Sequence, residues 1–255
     1  ATALLWEAGT AGIEVSAGGE GHTALLAYFP DEVSLDDLQG TVPDVTIEAV
    51  PIPEVDWVAR FRETFRAFRV GCFAIAPPWD RPDDDQDLIL VDPGRAFGTG
   101  THESTRLCLG ALEDLASERD LGRVCDVGTG TGILGVAAWR LGARLVVASD
   151  TDPEATASAV HHAALNSVPL RVVRGSGAEP FRPGAFDVVV ANLSAPLLRA
   201  HATPIAGLRN PEGALVLAGL LDADLPDVQT AYAPCGEPEV RLDGEWAALV
   251  YRGAS

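Results

Sequence analysis

The sequence predicts an α/β fold: a mostly parallel sheet with helices between its strands, closed by an antiparallel edge hairpin and preceded by a small α+β domain. Three observations carry it. Strand-like runs at Arg123–Val127, Leu145–Ser149, Leu170–Arg174, Phe186–Ala191 and Ala214–Ala218 alternate with helical patterns, as right-handed βαβ units require. Glu239–Leu242 and Glu245–Tyr251 flank Asp243-Gly244, which reads as a two-residue hairpin at the sheet edge. The glycine-rich run Asp126-Val-Gly-Thr-Gly-Thr-Gly132 lies between the first strand and a helix, where backbone approaches ligand.

At 255 residues, 47% of them hydrophobic, the chain suffices for one large α/β domain and a small additional one. No apolar run reaches membrane-spanning length and no secretory leader opens the chain, so no membrane role is expected and the location is read as cytoplasmic. Cys72, Cys108, Cys125 and Cys235 are scattered and read as reduced, mostly buried thiols. The net charge is -19, and all 18 cationic side chains are arginine. Such a surface repels phosphate backbones and attracts a basic protein; genome composition and solubility explain the acidity equally well. Methionine is absent, so Ala1 is expected not to be the natural start.

Residues 1–50 read as a small α+β unit that lacks its opening strand. It contains a helix end at Leu4–Glu7, strands at Ile13–Val15 and Thr23–Phe29 about Gly18-Gly19, a helix at Asp31–Leu38 and a strand at Val45–Val50. Residues 51–87 read as a helical linker and loop. Trp57, Phe61, Phe65 and Phe68 make an aromatic stripe on a helix over Asp56–Phe68, Phe73–Ala76 is a short strand, and Pro77–Asp87 is a surface loop. Residues 88–255 form the remaining domain.

The chemistry concentrates at strand ends. Gly130-x-Gly132-x-x-Gly135 matches a dinucleotide fingerprint. The strand ends near Val127, however, so the turn begins at Gly128 and its glycines stand two apart. That register favours S-adenosylmethionine, with a dinucleotide and a purely structural turn as alternatives. Asp126, Gly128, Thr129 and Gly130 are assigned to the cofactor. Asp150, after the second strand, is placed to accept ribose hydroxyls, with Thr151 beside it. Asp152 is the helix N-cap, followed by Pro153 and Glu154. Ser176 follows the third strand, at the adenine edge. Asn192 ends the fourth, where its amide oxygen can orient a substrate amine; the alternative is a turn or capping asparagine. Asn192 is the one residue assigned to catalysis.

A second run, Asp92-Pro-Gly-Arg-Ala-Phe-Gly-Thr-Gly-Thr-His-Glu-Ser-Thr-Arg106, is read as backbone closing over the same cofactor. Phe97 covers an apolar face, Gly98 and Thr99 lie beside it, and Thr105 opens the next helix. His102 invites a role as general base. A histidine at a helix start is more often a structural hydrogen-bonder, and it is left outside the catalytic set. His161 and His162, adjacent on a helix, point different ways, and no metal site is expected.

On these runs the chain resembles the methyltransferases of large-subunit ribosomal protein 11, the PrmA family. Further matching segments are Asp56-Trp57, Pro77-Pro-Trp79, Asp150-Thr-Asp-Pro153, Ala191-Asn-Leu193, Ala218-Gly-Leu-Leu221 and Gly244-Glu-Trp246. The resemblance implies a class I S-adenosylmethionine-dependent methyltransferase fold, Rossmann-like with a seven-stranded sheet, joined to an N-terminal substrate-recognition domain. It also implies methylation of lysine ε-amines and the N-terminal α-amine of that ribosomal protein. Cofactor contacts then fall on Thr105, Gly128, Asp150 and Asn192, with Phe97–Thr99 nearby. Ser104 stands where threonine is usual, and Ala218 where serine or threonine is frequent.

The expectation is therefore protein N-methylation with S-adenosylmethionine as donor and S-adenosylhomocysteine as product. The substrate is a basic protein rather than nucleic acid, and the enzyme a monomer. The alternatives are a related methyltransferase acting on another protein or a small amine, a non-catalytic cofactor-binding protein, and a nicotinamide oxidoreductase.

Overall fold

The computed structural model describes residues 12–17, 23–29, 33, 38, 47–48, 50, 65–82, 87–93 and 98–253. The chain divides into two compact units, Ala1–Val55 and Asp56–Ser255.

In the first unit, β1 (Gly12–Ala17) and β2 (Thr23–Tyr28) pair antiparallel, Gly12 facing Tyr28 and Ala17 facing Thr23. The expected strand at Val45–Val50 is not formed at its described residues: Ile47, Glu48 and Val50 lie in no strand, and Val50 is exposed. β-branched residues alone do not make a strand without a partner edge. The readings of Leu4–Glu7, of the Gly18-Gly19 turn and of most of Asp31–Leu38 lie outside the described residues.

Among the described residues of the second unit, a three-stranded sheet comes first. β3 (Phe68–Val70) runs antiparallel to β4 (Phe73–Ala76), which pairs parallel with β5 (Leu88–Leu90). The helix expected over Asp56–Phe68 lies largely outside the described residues. At its end, Phe65–Ala67 are irregular and Phe68 is already strand. Phe65 and Phe68 meet edge to face at 5.9 Å; Trp57 and Phe61, the rest of the aromatic stripe, lie outside the described residues.

The main sheet has seven strands: β6 (Arg123–Val127), β7 (Leu145–Asp150), β8 (Arg171–Arg174), β9 (Phe186–Asn192), β10 (Arg209–Leu221), β11 (Glu239–Asp243) and β12 (Trp246–Tyr251). Their order is β11-β12-β10-β9-β6-β7-β8. The pairs from β8 to β10 are parallel, and β12 joins both β10 and β11 antiparallel. Asp243 pairs with Trp246, so the hairpin loop is Gly244-Glu245, one residue beyond the expected Asp243-Gly244. Gly244 takes φ +61 at the first loop position, a backbone state open chiefly to glycine.

Six helices are described: α1 (Glu103–Glu118), α2 (Ile133–Arg140), α3 (Pro153–Leu165), α4 (Ala195–Ala200), α5 (Ala202–Leu208) and α6 (Leu225–Ala231). Strand residues alternate between two cores. Val124, Val188, Val190, Val216 and Val250 pack with Leu109, Leu112 and Val136. Cys125, Val127, Val189, Ala191 and Leu217 pack with Leu198, Ile205 and Tyr251. Both faces are covered, which is why these strands read as continuous apolar runs. The chain leaves β6 toward β7 and β8, then returns on the other side as β9. That reversal opens a crevice at the carboxyl ends of β6 and β9, where ligands of open α/β sheets bind.

Candidate functional site

The crevice is a cleft of ≈ 670 Å³, and its floor is the turn from β6 to α2. Gly128, Gly130 and Gly132 take φ of +73, +54 and +83, values that side chains resist. A Cβ on Gly128 would stand 2.3 Å from Leu193 Cδ2, so glycine leaves the backbone bare to the cleft. The amides of Gly128 and Thr129 donate to Ser149 O at 2.8 and 3.0 Å, hanging the turn from the end of β7.

Asp150 fastens the two turns together. Its Oδ2 accepts from Gly130 N and its Oδ1 from Asp152 N, each at 3.0 Å. Each oxygen keeps a lone pair for a ligand, and Asp150 lines the cleft. Asp152 is the N-cap of α3, accepting from Glu154 N at 2.8 Å with Pro153 in the first turn. The loop after β8 is tied in by Ser149 Oγ donating to Gly177 O at 3.2 Å, which brings Ser176 to the wall.

The other end of the cleft is built by α1, β9, β10 and β12. Thr105, buried near the start of α1, accepts from Asn192 Nδ2 at 3.4 Å. Asn192 therefore presents its Oδ1 as the free end of the amide. Gly219 forms the bulge in β10 at φ +86, and a Cβ there would lie 2.8 Å from Asn192 Oδ1 and 2.5 Å from Leu193 O. His102 caps α1, its Nδ1 accepting from Ser104 N, and its ring meets Trp246 edge to face at 4.4 Å. Gly98 is held above the turn because Thr131 Oγ1 donates to its carbonyl.

The cleft thus gathers Gly98, Thr105, Gly128, Thr129, Gly130, Asp150, Thr151, Ser176 and Asn192 from the residues the sequence singled out. Thr99 and Asp126 do not line it, and Phe97 lies outside the described residues. Asp126 is fully buried beneath the turn, accepting from Thr129 Oγ1 at 2.6 Å. Burial pushes its pKa up to about 6, against the pull of that hydrogen bond. Cys108 and Cys125, buried and near Asp126, have their thiols pushed well above the usual range by burial first.

His162 is held by its own fold. Its Nδ1 donates to Ser158 O at 2.8 Å and its Nε2 accepts from Asp92 N at 3.0 Å, which occupies both ring nitrogens. The sequence left Trp246, Gly219, Leu197 and His201 without a role, yet all line the cleft. Trp246 shares the cleft with Asn192 through the order β12-β10-β9. Its signals were its place beside an edge hairpin and the matching segment Gly244-Glu-Trp246.

The family described as Ribosomal protein L11 methyltransferase (PrmA) matches residues 12–253. A protein named Ribosomal protein L11 methyltransferase from Geobacter sulfurreducens is 42% identical over 215 residues, 82% of this chain and 69% of its own length. One of the same name from Myxococcus xanthus is 32% identical over 265 residues, covering 96% of this chain and 91% of its own. The crystal structure of ribosomal protein L11 methylase from Lactobacillus delbrueckii subsp. bulgaricus superposes with TM-score 0.67 at 32% identity, over 74% of this chain and all of that one. A 16S rRNA N2 G1207 methyltransferase from T. thermophilus, at TM-score 0.53 and 22% identity, shares the fold.

Proposed function

The chain belongs to the ribosomal protein L11 methyltransferase (PrmA) family of S-adenosylmethionine-dependent enzymes, and from that premise we propose that it methylates lysine ε-amines and the N-terminal α-amine of ribosomal protein L11. One observation carries the reading. A single cleft joins a bare-backbone glycine turn and a carboxylate to the Asn192 amide, whose nitrogen is held by Thr105.

The residues present fit the donor. Asp150 at the end of β7 suits a ribose diol, and the loop at Ser176 suits the purine edge. The open backbone of Gly128–Gly130 and the Thr105 hydroxyl suit the amino-acid part. When bound, the sulfonium supplies an electrophilic methyl group. The chain's own contribution is then alignment, which can lower a barrier by several kcal/mol.

Asn192 Oδ1 accepts an N–H of the incoming amine, turning its lone pair toward the donor end of the cleft. Thr105 keeps the amide from rotating, and Gly219 leaves space beside Oδ1. The amine must arrive neutral. Leu193, Leu197 and Trp246 line the cleft, and apolar walls favour the neutral form, the proton passing to water. His102 Nδ1 is engaged in capping α1, so no base is drawn from it. The N-terminal unit is assigned to recognition of the protein substrate and the location to the cytoplasm, in keeping with a ribosomal target.

The test is incubation with methyl-labelled donor and purified L11, against a panel of other lysate proteins and free amines. Label on lysines and the N-terminus of L11 is expected. Asn192→Ala should lower kcat by about a hundredfold while S-adenosylhomocysteine affinity changes little. Unlabelled L11 beside another labelled protein or amine overturns the assignment.

A further inference from the structure

Three chain segments meet at one guanidinium on the rim of the cleft. Arg106 Nε donates to Asp243 Oδ2 at 2.9 Å, and its Nη2 lies 2.8 Å from the same oxygen. Its Nη1 donates to Thr101 O, and Nη2 lies 3.3 Å from Glu103 Oε1. Asp243 ends β11 and pairs with Trp246 across the Gly244-Glu245 loop. Thr101 adjoins His102, the cap of α1. The two segments that Arg106 fastens together therefore carry the two rings that meet at 4.4 Å, His102 and Trp246, and both rings line the cleft.

The same face of α1 runs down the hairpin. Arg106, Gly110, Asp114 and Glu118 recur every four residues, one stripe of a helix. Asp114 pairs with Arg241 at 2.8 Å and Glu118 with Arg252 at 2.9 Å. A Cβ on Gly110 would stand 4.0 Å from Arg241 Nη1. These lower contacts hold the hairpin against the helix well away from the cleft. At the cleft end Arg106 fastens it, beside the ring contact of His102 with Trp246. Its side chain is 34% exposed, and partly exposed pairs add little stability. Its consequence is geometric.

Resting on the methyl-transfer reading, we infer that Arg106 is a positioning residue that sets the width of the amine entrance by fastening the β11–β12 turn to the start of α1. Through Asp243 it holds Trp246, and through Thr101 it holds His102. The substrate amine thereby reaches Asn192 between walls of fixed spacing.

Four variants test this: Arg106→Gln, Arg106→Lys, Asp243→Asn and the double variant Arg106→Gln/Asp243→Asn. Arg106→Gln and Asp243→Asn should each lower kcat/KM for the amine substrate about tenfold or more, since small misplacements are costly. The double variant should lose no more than Arg106→Gln alone, because the contact with Asp243 is already gone there. Arg106→Lys should recover part of the loss. S-adenosylhomocysteine affinity and the melting temperature should hold. The indole N–H resonance of Trp246, assigned with Trp246→Phe, gives a readout independent of turnover and should shift in Arg106→Gln and in Asp243→Asn. An unmoved resonance, or a loss shared equally by cofactor affinity and melting temperature, overturns the inference. If wild type methylates no amine while the resonance shifts, the methyl-transfer reading fails and the positioning role stands.

Discussion

Asp126 is a carboxylate placed where charge is costly. Its pKa of about 6 exceeds the ordinary 3.8 because burial penalises the ionised form. Between those values the folded chain holds a proton that the unfolded chain has released. The stability from this group is thus fully present below about 3.8 and is lost as pH rises to about 6. At neutral pH the ionised Asp126 is a cost, of order 3 kcal/mol at most. Asn keeps an oxygen for the Thr129 hydroxyl and carries no charge. Asp126→Asn should therefore raise the melting temperature at pH 7.5, by about 5 °C, with the gain vanishing near pH 4. A variant that melts lower at both pH values would show that the carboxylate holds the turn by more than one hydrogen bond. Asp126 was readable as part of the turn. That it lies under the turn and not in the cleft follows from strand alternation: it shares its face of β6 with Val124, which packs in the core with Val136, while Val127 turns to the other side.

At the scale of elements, α3 substitutes for a missing strand. Asn166, its C-cap, accepts from Leu90 N at 2.7 Å and donates to Leu90 O at 2.8 Å. Four residues earlier, His162 accepts from Asp92 N. Two side chains one helical turn apart thus meet alternate residues of the β5 segment, as a neighbouring strand would. Asn166→Ala should strip both partners from a buried backbone pair and cost about 3 kcal/mol in a urea melt; a loss below about 1 kcal/mol would mean that water replaces them. The start of α3 was legible, because Asp152, Pro153 and Glu154 act on their own neighbours. The Asn166 contact was not, since it joins residues 76 positions apart. The hairpin was legible to within one residue. The small strands β3 and β5 were hidden, one starting at the last residue of the aromatic stripe and the other directly after the proline- and aspartate-rich run.

Across the whole molecule, a net charge of -19 and the proposed basic substrate belong together. Long-range attraction should speed encounter and be screened by salt. Raising ionic strength from about 50 to about 500 mM should reduce kcat/KM for L11 about tenfold, leaving S-adenosylhomocysteine affinity within about twofold. A salt-independent kcat/KM would assign the acidity to solubility alone. Among the described residues no helix is long and apolar enough to cross a membrane, and the interior accounts for the apolar content: two continuous cores, one on each face of the seven-stranded sheet.

By itself the sequence determined what depends on neighbours along the chain: the alternation of strands and helices, the glycine turn with its register, the cap at Asp152, and the residues at the carboxyl ends of β6, β7 and β9. Those features follow from backbone sterics and local hydrogen bonding, which act over a few residues. Tertiary structure decided what depends on strand order. It put Gly219 beside Asn192 and Trp246 in the same cleft, sank Asp126 beneath the turn it supports, and brought Arg106 to Asp243 across 137 positions. These are contacts between elements far apart in the chain, and their geometry comes from how the sheet packs rather than from any local preference.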